Sequence, residues 1–258
     1  MRPAFSASPD LNPNVLESIS GFLIDWDGCC ALDNKILPGA IRFLKQNEDR
    51  VAIVSNNSTD TPASFEAILK KEGITLPEDR IILAGILAID LAADTGLKRV
   101  DVLGAPTMLD YAQSTGLTVS EESAEAVILM RDVTLSYDRL ERAANHIAAG
   151  ARLIVANPDL THPGENGRIK PETGALLAAL QACINLQSCS IEIVGKPRSE
   201  IFQHALGKLG VPSSAALMIG DNPATDIAGA NNVGMRGLLV GKDPSKTLNE
   251  LADYLEAL

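Results

Sequence analysis

The chain has 258 residues, of which 46% are hydrophobic and 21% are charged, a balance typical of a folded protein that excludes a largely disordered one. The net charge of −11 and an aromatic content of only 3% disfavour a polyphosphate backbone as partner, so we expect no nucleic-acid binding. The N-terminus lacks the apolar stretch of a secretory signal, and no apolar run reaches about 18 residues, so we expect neither secretion nor a membrane-spanning segment. The four cysteines form no CxxC pair, so we expect no zinc site. The expected location is the cytoplasm.

Short apolar runs alternate with helical patterns along the chain. Each of five runs is predicted to be a buried strand followed by a helix: "GFLIDW" (21–26), "VAIVSN" (51–56), "IEIVGK" (191–196), "ALMIGD" (216–221) and "RGLLVG" (236–241). Uninterrupted apolar strands in β-then-α order predict an α/β fold, a doubly wound parallel sheet with helices on both faces.

The middle of the chain has strand patterns of its own, at 99–105, 125–131 and 151–157, separated by helical patterns around 107–115, 136–149 and 171–184. No low-complexity linker separates these elements from the rest. We therefore predict a second α/β domain inserted at 79–186, with the core formed by 1–78 and 187–258.

Polar residues stand at the carboxyl ends of four predicted strands, which is where ligands bind in an open α/β sheet. In chain order these residues are Asp25 and Asp27; Ser55, Asn56 and Asn57; Lys196; and Asp221. If the four strands lie side by side in one parallel sheet, all four groups meet at the same edge.

The chemistry of this set is coherent. Asp25, Asp27 and Asp221 could together hold Mg²⁺, which prefers oxygen ligands, while Lys196 adds a compact positive charge and Ser55 a hydrogen-bond donor. Metal, ammonium and donors around one point suit a phosphoryl group. One carboxylate could attack phosphorus as a nucleophile, and a second could protonate the leaving oxygen and later activate water.

Each motif also has a purely structural interpretation. An Asp pair is common after strands, "SNNST" could cap the next helix, Lys196 could be a solvated charge before Pro197, and Asp226 could sit in a first helical turn. One such motif could arise by chance, but four motifs in the right order, each at the end of a predicted strand, are less probable. The functional interpretation is therefore preferred.

These residues resemble the four motifs of the haloacid dehalogenase superfamily of phosphohydrolases: "DWDGC", "VSNN", "GKP" and "GDNPATD". The last motif, extended to "GDNPATDIAGANNVGMRGLLV", together with "ANPDLTHPGENGRIKPETGALLAAL" in the inserted segment, is most similar to the subgroup of p-nitrophenylphosphatase, nucleotidase and NagD-like enzymes. The resemblance covers almost the whole chain after about residue 18.

The resemblance implies a role for each matching residue. Asp25 would be the nucleophile and a metal ligand, and Asp27 the general acid/base with its backbone carbonyl on Mg²⁺. Asp221 would be a metal ligand, with Asp226 holding a metal-bound water or a ligand. The phosphoryl group would bind to Ser55, Asn56, Asn57 and Lys196. Because dehalogenases of the superfamily lack a carboxylate at the position of Asp27, hydrolysis of a phosphate ester is favoured.

The resemblance also makes residues 79–186 an α/β cap that contacts the leaving group. Candidate specificity residues in it are Asn157, Asp159, His162, Arg168 and Lys170. A small phosphorylated metabolite is the expected partner, and a homodimer is the expected assembly. Nucleoside monophosphates, sugar phosphates, phosphoglycolate and pyridoxal phosphate all fit this chemistry.

Two alternatives remain at this point: a phosphotransferase that uses the same aspartyl phosphate, and a phosphometabolite sensor without turnover. The chain departs from the family pattern at Cys29 and Cys30, where Thr or Val and then an aliphatic residue are usual. We expect the two cysteines to be inert packing residues, because no histidine lies near them in sequence to activate a thiol; sensitivity to oxidation stays open.

Overall fold

The structure, a computed structural model, describes residues 13–163, 168–184 and 189–257. It divides into two compact units. The first unit comprises the chain up to residue 55, residues 62–82 and the chain from 196 onward, and the second comprises 56–61 and 83–195.

Strands and helices alternate along most of the described chain. The strands are β1 (Gly21–Ile24), β2 (Ala31–Leu32), β3 (Lys35–Ile36), β4 (Val51–Ser55), β5 (Ile81–Leu83), β6 (Arg99–Leu103), β7 (Thr118–Val119), β8 (Ala126–Leu129), β9 (Arg152–Val155), β10 (Thr161–Pro163), β11 (Ile169–Pro171), β12 (Ile191–Ile193), β13 (Ala216–Gly220) and β14 (Arg236–Leu239). The helices are α1 (Pro13–Glu17), α2 (Pro38–Gln46), α3 (Pro62–Lys71), α4 (Ala84–Asp94), α5 (Pro106–Ser114), α6 (Tyr137–Ala148), α7 (Thr173–Cys183), α8 (Ser199–Leu209), α9 (Ala228–Asn232) and α10 (Pro244–Glu256).

The first unit is built on a five-stranded sheet in the order β14-β13-β1-β4-β5. β1 is central and pairs in parallel with β13 on one side and with β4 on the other. All residues of β1, β4 and β13 are buried, as expected for strands covered on both faces. Helix α8 packs against β1 and β4, and α10 packs against α2. This arrangement brings the carboxyl ends of β1, β4 and β13 to one edge.

The second unit has its own five-stranded sheet, in the order β12-β9-β8-β6-β7, and its pairings are parallel. Residues of β6, β8 and β9 form a core with α6 and α7, including Leu103, Val127, Leu129, Leu153 and Val155. With parallel sheets flanked by helices in both units, the α/β fold prediction is confirmed.

The expectation that all four polar strand ends belong to one sheet is wrong for the strand that precedes Lys196. β12 pairs with β9 in the second sheet, with Ile191 opposite Leu153 and Ile193 opposite Val155. All three residues of β12 are only partly buried, in contrast to those of β1, β4 and β13, because β12 is the outermost strand of its sheet. Lys196 follows directly, where the chain re-enters the first unit.

The bounds of the second unit differ from the predicted insertion at 79–186. Residues 79–82 belong to the first unit, and the second unit continues to residue 195. The predicted boundary between 186 and 187 lies outside the described residues. The function of this unit as a cap stays a prediction. Over the ranges given above, the chain has no helix long and apolar enough to cross a membrane.

Candidate active site

Three carboxylates meet at the carboxyl edge of the first sheet. Asp25 follows β1 and its backbone amide donates to the carbonyl of Ile219 in β13 (2.9 Å), while Asp221 follows β13 itself. Asp226 lies in a π-helical segment, Pro223–Ile227, next to the end of β13. One carboxylate oxygen from each of these three aspartates lies within 4.8 Å of the others. The structure thus brings together the predicted nucleophile and both acidic residues of the last motif.

Lys196 joins this cluster from the point where the chain returns to the first unit. Its Nζ lies 2.5 Å from Oδ1 of Asp25 and 2.7 Å from Oδ1 of Asp226. The lysine is 2% exposed and Asp226 is fully buried, so their charges are shielded from water. Burial acts to lower the pKa of Lys196, but the carboxylates of Asp226 and Asp25 outweigh it and raise this pKa, which keeps the ammonium charged.

The carboxylates carry more negative charge than the lysine balances. When all three carboxylates are ionised, they and the one ammonium leave two negative charges on a cluster in which Asp25, Asp226 and Lys196 are buried and Asp221 is exposed. Burial raises the pKa of Asp25 well above its usual range, and Asp226 and Asp221 add to this rise while Lys196 opposes it. Burial and Asp226 likewise raise the pKa of Asp221. A divalent cation would relieve this repulsion, and carboxylate oxygens are the ligands that Mg²⁺ prefers. The site therefore fits such an ion.

Two glycines leave the space that the acidic side chains occupy. Gly28 has φ +87°, and a Cβ there would lie 2.9 Å from Cγ of Asp221 and closer still to its Oδ2. A Cβ at Gly220 would collide with the carboxylate of Asp226. This function of the two glycines was not predicted from the sequence. The signal was available in principle, because each glycine directly adjoins an aspartate of the motif.

The other two predicted residues of the first unit lie at the same edge. Asp27 is exposed and is bridged to Ala31 in the loop after β1. Ser55 is the buried last residue of β4, the strand next to β1. Their positions agree with the predicted acid/base and phosphoryl-binding roles, and these roles stay predictions.

Asn56 and Asn57 belong to the second unit. The side-chain amide of Asn56 donates to Oδ2 of Asp159 (2.8 Å), and that of Asn157 donates to the backbone carbonyl of Asn56 (2.8 Å) and to Oγ1 of Thr173 (3.1 Å). Oδ1 of Asn57 accepts from the amides two and three residues further on. Asn157 and Asp159, predicted as specificity residues, thus anchor the segment 56–61 within the second unit.

The remaining cap candidates lie around the β10–β11 hairpin. His162 and Lys170 stand opposite each other, and Nδ1 of His162 lies 2.5 Å from Oε1 of Glu172. Arg168, just before β11, is exposed. The structure places the His162 ring beside the Glu172 carboxylate, and the assignment of these residues to substrate recognition stays a prediction.

Cys29 and Cys30 are both fully buried and form no disulfide. Burial, with Cys30 and the nearby carboxylates, raises the pKa of the Cys29 thiol, so it stays protonated and a poor nucleophile. This agrees with the interpretation of the pair as packing residues.

Comparisons with known proteins point to one family. Residues 22–118 match the family model of haloacid dehalogenase-like hydrolases, and residues 193–254 match a second HAD-hydrolase-like model. The chain is 31% identical to dihydroxyacetone phosphatase of Corynebacterium glutamicum over 91% of this chain and 90% of that one.

Solved structures agree with this likeness. The fold matches 4-nitrophenylphosphatase from Thermotoga maritima with a TM-score of 0.81 and 28% identity, covering 92% of this chain and 98% of that one. It also matches a glycerol phosphate phosphatase from Mycobacterium tuberculosis in complex with magnesium, with a TM-score of 0.77 and 28% identity over 88% of this chain and 69% of that one.

Proposed function

The chain belongs to the haloacid dehalogenase-like hydrolases, in their NagD-like and p-nitrophenylphosphatase-like subgroup, and is a phosphomonoester hydrolase; we propose that it hydrolyses a small-molecule phosphomonoester with Mg²⁺ through an aspartyl phosphate on Asp25. The observation that carries the proposal is the cluster of the buried Asp25, Asp226 and Lys196 with the exposed Asp221. Its excess of two negative charges matches one divalent cation.

Mg²⁺, held by Asp25 and Asp221 together with the backbone carbonyl of Asp27, would supply positive charge for the phosphoryl oxygens. Asp25 attacks phosphorus with one carboxylate oxygen as the bond to the leaving oxygen breaks. Asp27, which is exposed, donates a proton to that oxygen. Water, deprotonated by Asp27, then attacks the same phosphorus, releases inorganic phosphate and regenerates Asp25.

Lys196 has two functions in this proposal. Its contact with Asp25 orients the nucleophile and favours the ionised carboxylate that the attack requires. Its contact with Asp226 holds the ammonium in place from the other side. Ser55, at the end of β4, would donate a hydrogen bond to the transferring group.

The test is hydrolysis of p-nitrophenyl phosphate by protein treated with a chelator and then supplied with Mg²⁺. We expect activity only with the metal, and none in freshly purified, unaged Asp25→Asn. Calorimetric titration gives a readout without turnover: Mg²⁺ should bind to the wild type and much more weakly to Asp221→Asn. Undiminished hydrolysis by Asp25→Asn would reject the nucleophile.

The same assay distinguishes the alternatives. With an alcohol acceptor present, a phosphatase releases inorganic phosphate in equal amount to p-nitrophenol, whereas a phosphotransferase releases less phosphate and forms a new ester. A sensor would bind phosphomonoesters without releasing either product. A screen of metabolite phosphates ranked by kcat/KM would then identify the substrate.

A further inference from the structure

Trp26 stands between Asp25 and Asp27 in sequence, and its side chain is fixed on both sides. The indole is fully buried and packs against Phe65, with 4.8 Å between ring centroids. Its Nε1 donates a hydrogen bond to Oδ1 of Asn34 (2.9 Å). Because a buried indole N–H without an acceptor is unfavourable, this bond ties Trp26 to Asn34.

Asn34 lies at the tip of a short hairpin that follows the Asp25–Asp27 loop. β2 and β3 pair antiparallel, with Ala31 opposite Ile36, and only Asp33 and Asn34 connect them. These two residues have φ +47° and +60°, which is the pattern of a two-residue type I′ turn and which Asn tolerates better than most residues. The turn therefore sets the direction from which the Asn34 amide meets Trp26.

The backbone of Trp26 closes the other side of the loop. Its carbonyl accepts hydrogen bonds from the amides of Cys30 and Ala31, both at 2.9 Å, and Asp27 itself is bridged to Ala31. Asp27 thus lies in a small loop in which the preceding residue is held through its carbonyl and its indole. A loosened indole would loosen the point from which Asp27 projects.

We propose that Asn34 is a positioning residue that holds the general acid, Asp27, in place through Trp26; the inference rests on the proposed function. In the first step the bond from phosphorus to the leaving oxygen breaks, the bond to Asp25 forms, and the proton of Asp27 goes to the leaving oxygen. Loss of the Asn34 contact should impair that proton transfer more than the attack by Asp25, which is anchored separately by Lys196.

The test compares Asn34→Gly with the wild type on two aryl phosphates of similar size. Glycine keeps the left-handed backbone and removes the acceptor. Phenyl phosphate has the poorer leaving group and needs the proton, whereas p-nitrophenyl phosphate needs it much less. Since general acid catalysis contributes about 10²- to 10⁴-fold, we expect kcat/KM for phenyl phosphate to fall at least about tenfold further than that for p-nitrophenyl phosphate.

Three variants separate positioning from general damage. Asn34→Asp keeps an acceptor oxygen and should restore the wild-type ratio of the two substrates. Trp26→Phe removes the donor and should shift the ratio as Asn34→Gly does, with no further shift in the double variant. Asp33→Gly changes the neighbouring left-handed position of the same turn and should leave the ratio unchanged.

The proposal would be overturned if Asn34→Gly lowered kcat/KM equally for both substrates, or if Asn34→Asp failed to restore the wild-type ratio of the two kcat/KM values. Circular dichroism checks that each variant is folded; if Asn34→Gly is not, Trp26→Phe and Asn34→Asp provide the same comparison. A wild-type protein that hydrolyses neither aryl phosphate with Mg²⁺ would reject the proposed function, and this role with it. Wild-type turnover with an unchanged ratio in the variants would reject only the role of Asn34.

Discussion

Gly28→Ala should disable the proposed metal site through a steric clash, although every proposed metal ligand is left in place. The new methyl carbon would lie 2.9 Å from Cγ of Asp221 and closer to Oδ2, whereas ordinary contacts begin at 3.4 Å. Either the Asp221 carboxylate or the loop that carries Asp25 and Asp27 must give way. Both belong to the proposed active site.

The magnitude follows from two separable effects. The left-handed backbone, at φ +87°, costs an alanine about 1–2 kcal/mol of folding free energy. The contact adds a displacement of Asp221 by about 1 Å, and misplacement on that scale can lower kcat/KM by about 100-fold. We therefore expect a modest loss of stability and a large loss of activity.

Gly116→Ala is the matched control, because Gly116 has φ +88° and nothing lies within 4 Å of a Cβ there. Urea unfolding should show a similar loss for both variants, since both have the same backbone strain. Initial rates with p-nitrophenyl phosphate over a range of Mg²⁺ concentrations should show a raised metal requirement and a lower maximal rate for Gly28→Ala alone. If the two variants have the same rates and the same Mg²⁺ dependence, the contact with Asp221 has no functional consequence and the reasoning is wrong.

Three further predictions concern buried charge, the thiols and pH. Lys196→Met leaves two buried carboxylates without their partner, so urea unfolding should show a loss of about 3–5 kcal/mol, against almost none for Lys208→Met on the exposed face of α8. Cys29→Val/Cys30→Leu should keep most of the turnover, and neither thiol should react with a disulfide reagent in the native protein, because both are fully buried; rapid labelling would contradict this. The carboxylate of Glu125 accepts from two backbone amides at the start of β6, which lowers its pKa, so its contribution to stability is present above the ordinary pKa of Glu and disappears as pH falls through the lowered value. The difference in urea midpoint between wild type and Glu125→Gln should therefore shrink on acidification, and a constant difference would refute the assignment.

Most of what could be predicted from the sequence concerned the residues at the carboxyl ends of the strands. An apolar run such as "GFLI" is recognisable because a strand covered on both faces has no polar alternation, and the residue that follows it must lie at the sheet edge. Asp25 and Asp221 could thus be placed together by the parallel order alone. That placement needs no knowledge of side-chain packing.

Pairing partners are where prediction from the sequence failed. β12 has a glutamate at its centre that β1, β4 and β13 lack, but its assignment to the second sheet follows from its register with β9, a contact across some 40 residues of sequence. The segment 56–61 is similar: in the second unit Asn56 accepts a hydrogen bond from Asn157 and donates one to Asp159, both about 100 residues away. Contacts of this kind have no local pattern in the sequence.

The pairing of β1 with β13 also has a consequence for the order in which the protein can form during synthesis. The central strand of the first sheet has one neighbour, β4, soon after it leaves the ribosome, but its other neighbour is encoded nearly 200 residues later. By contrast, almost all of the second unit is a continuous stretch that is complete before β13 exists. Until then Asp25 has neither Asp221 nor Asp226 beside it, so an unfinished chain cannot assemble the carboxylate cluster. The proposed active site can therefore form only after β13 and the segment Pro223–Ile227 have been synthesised.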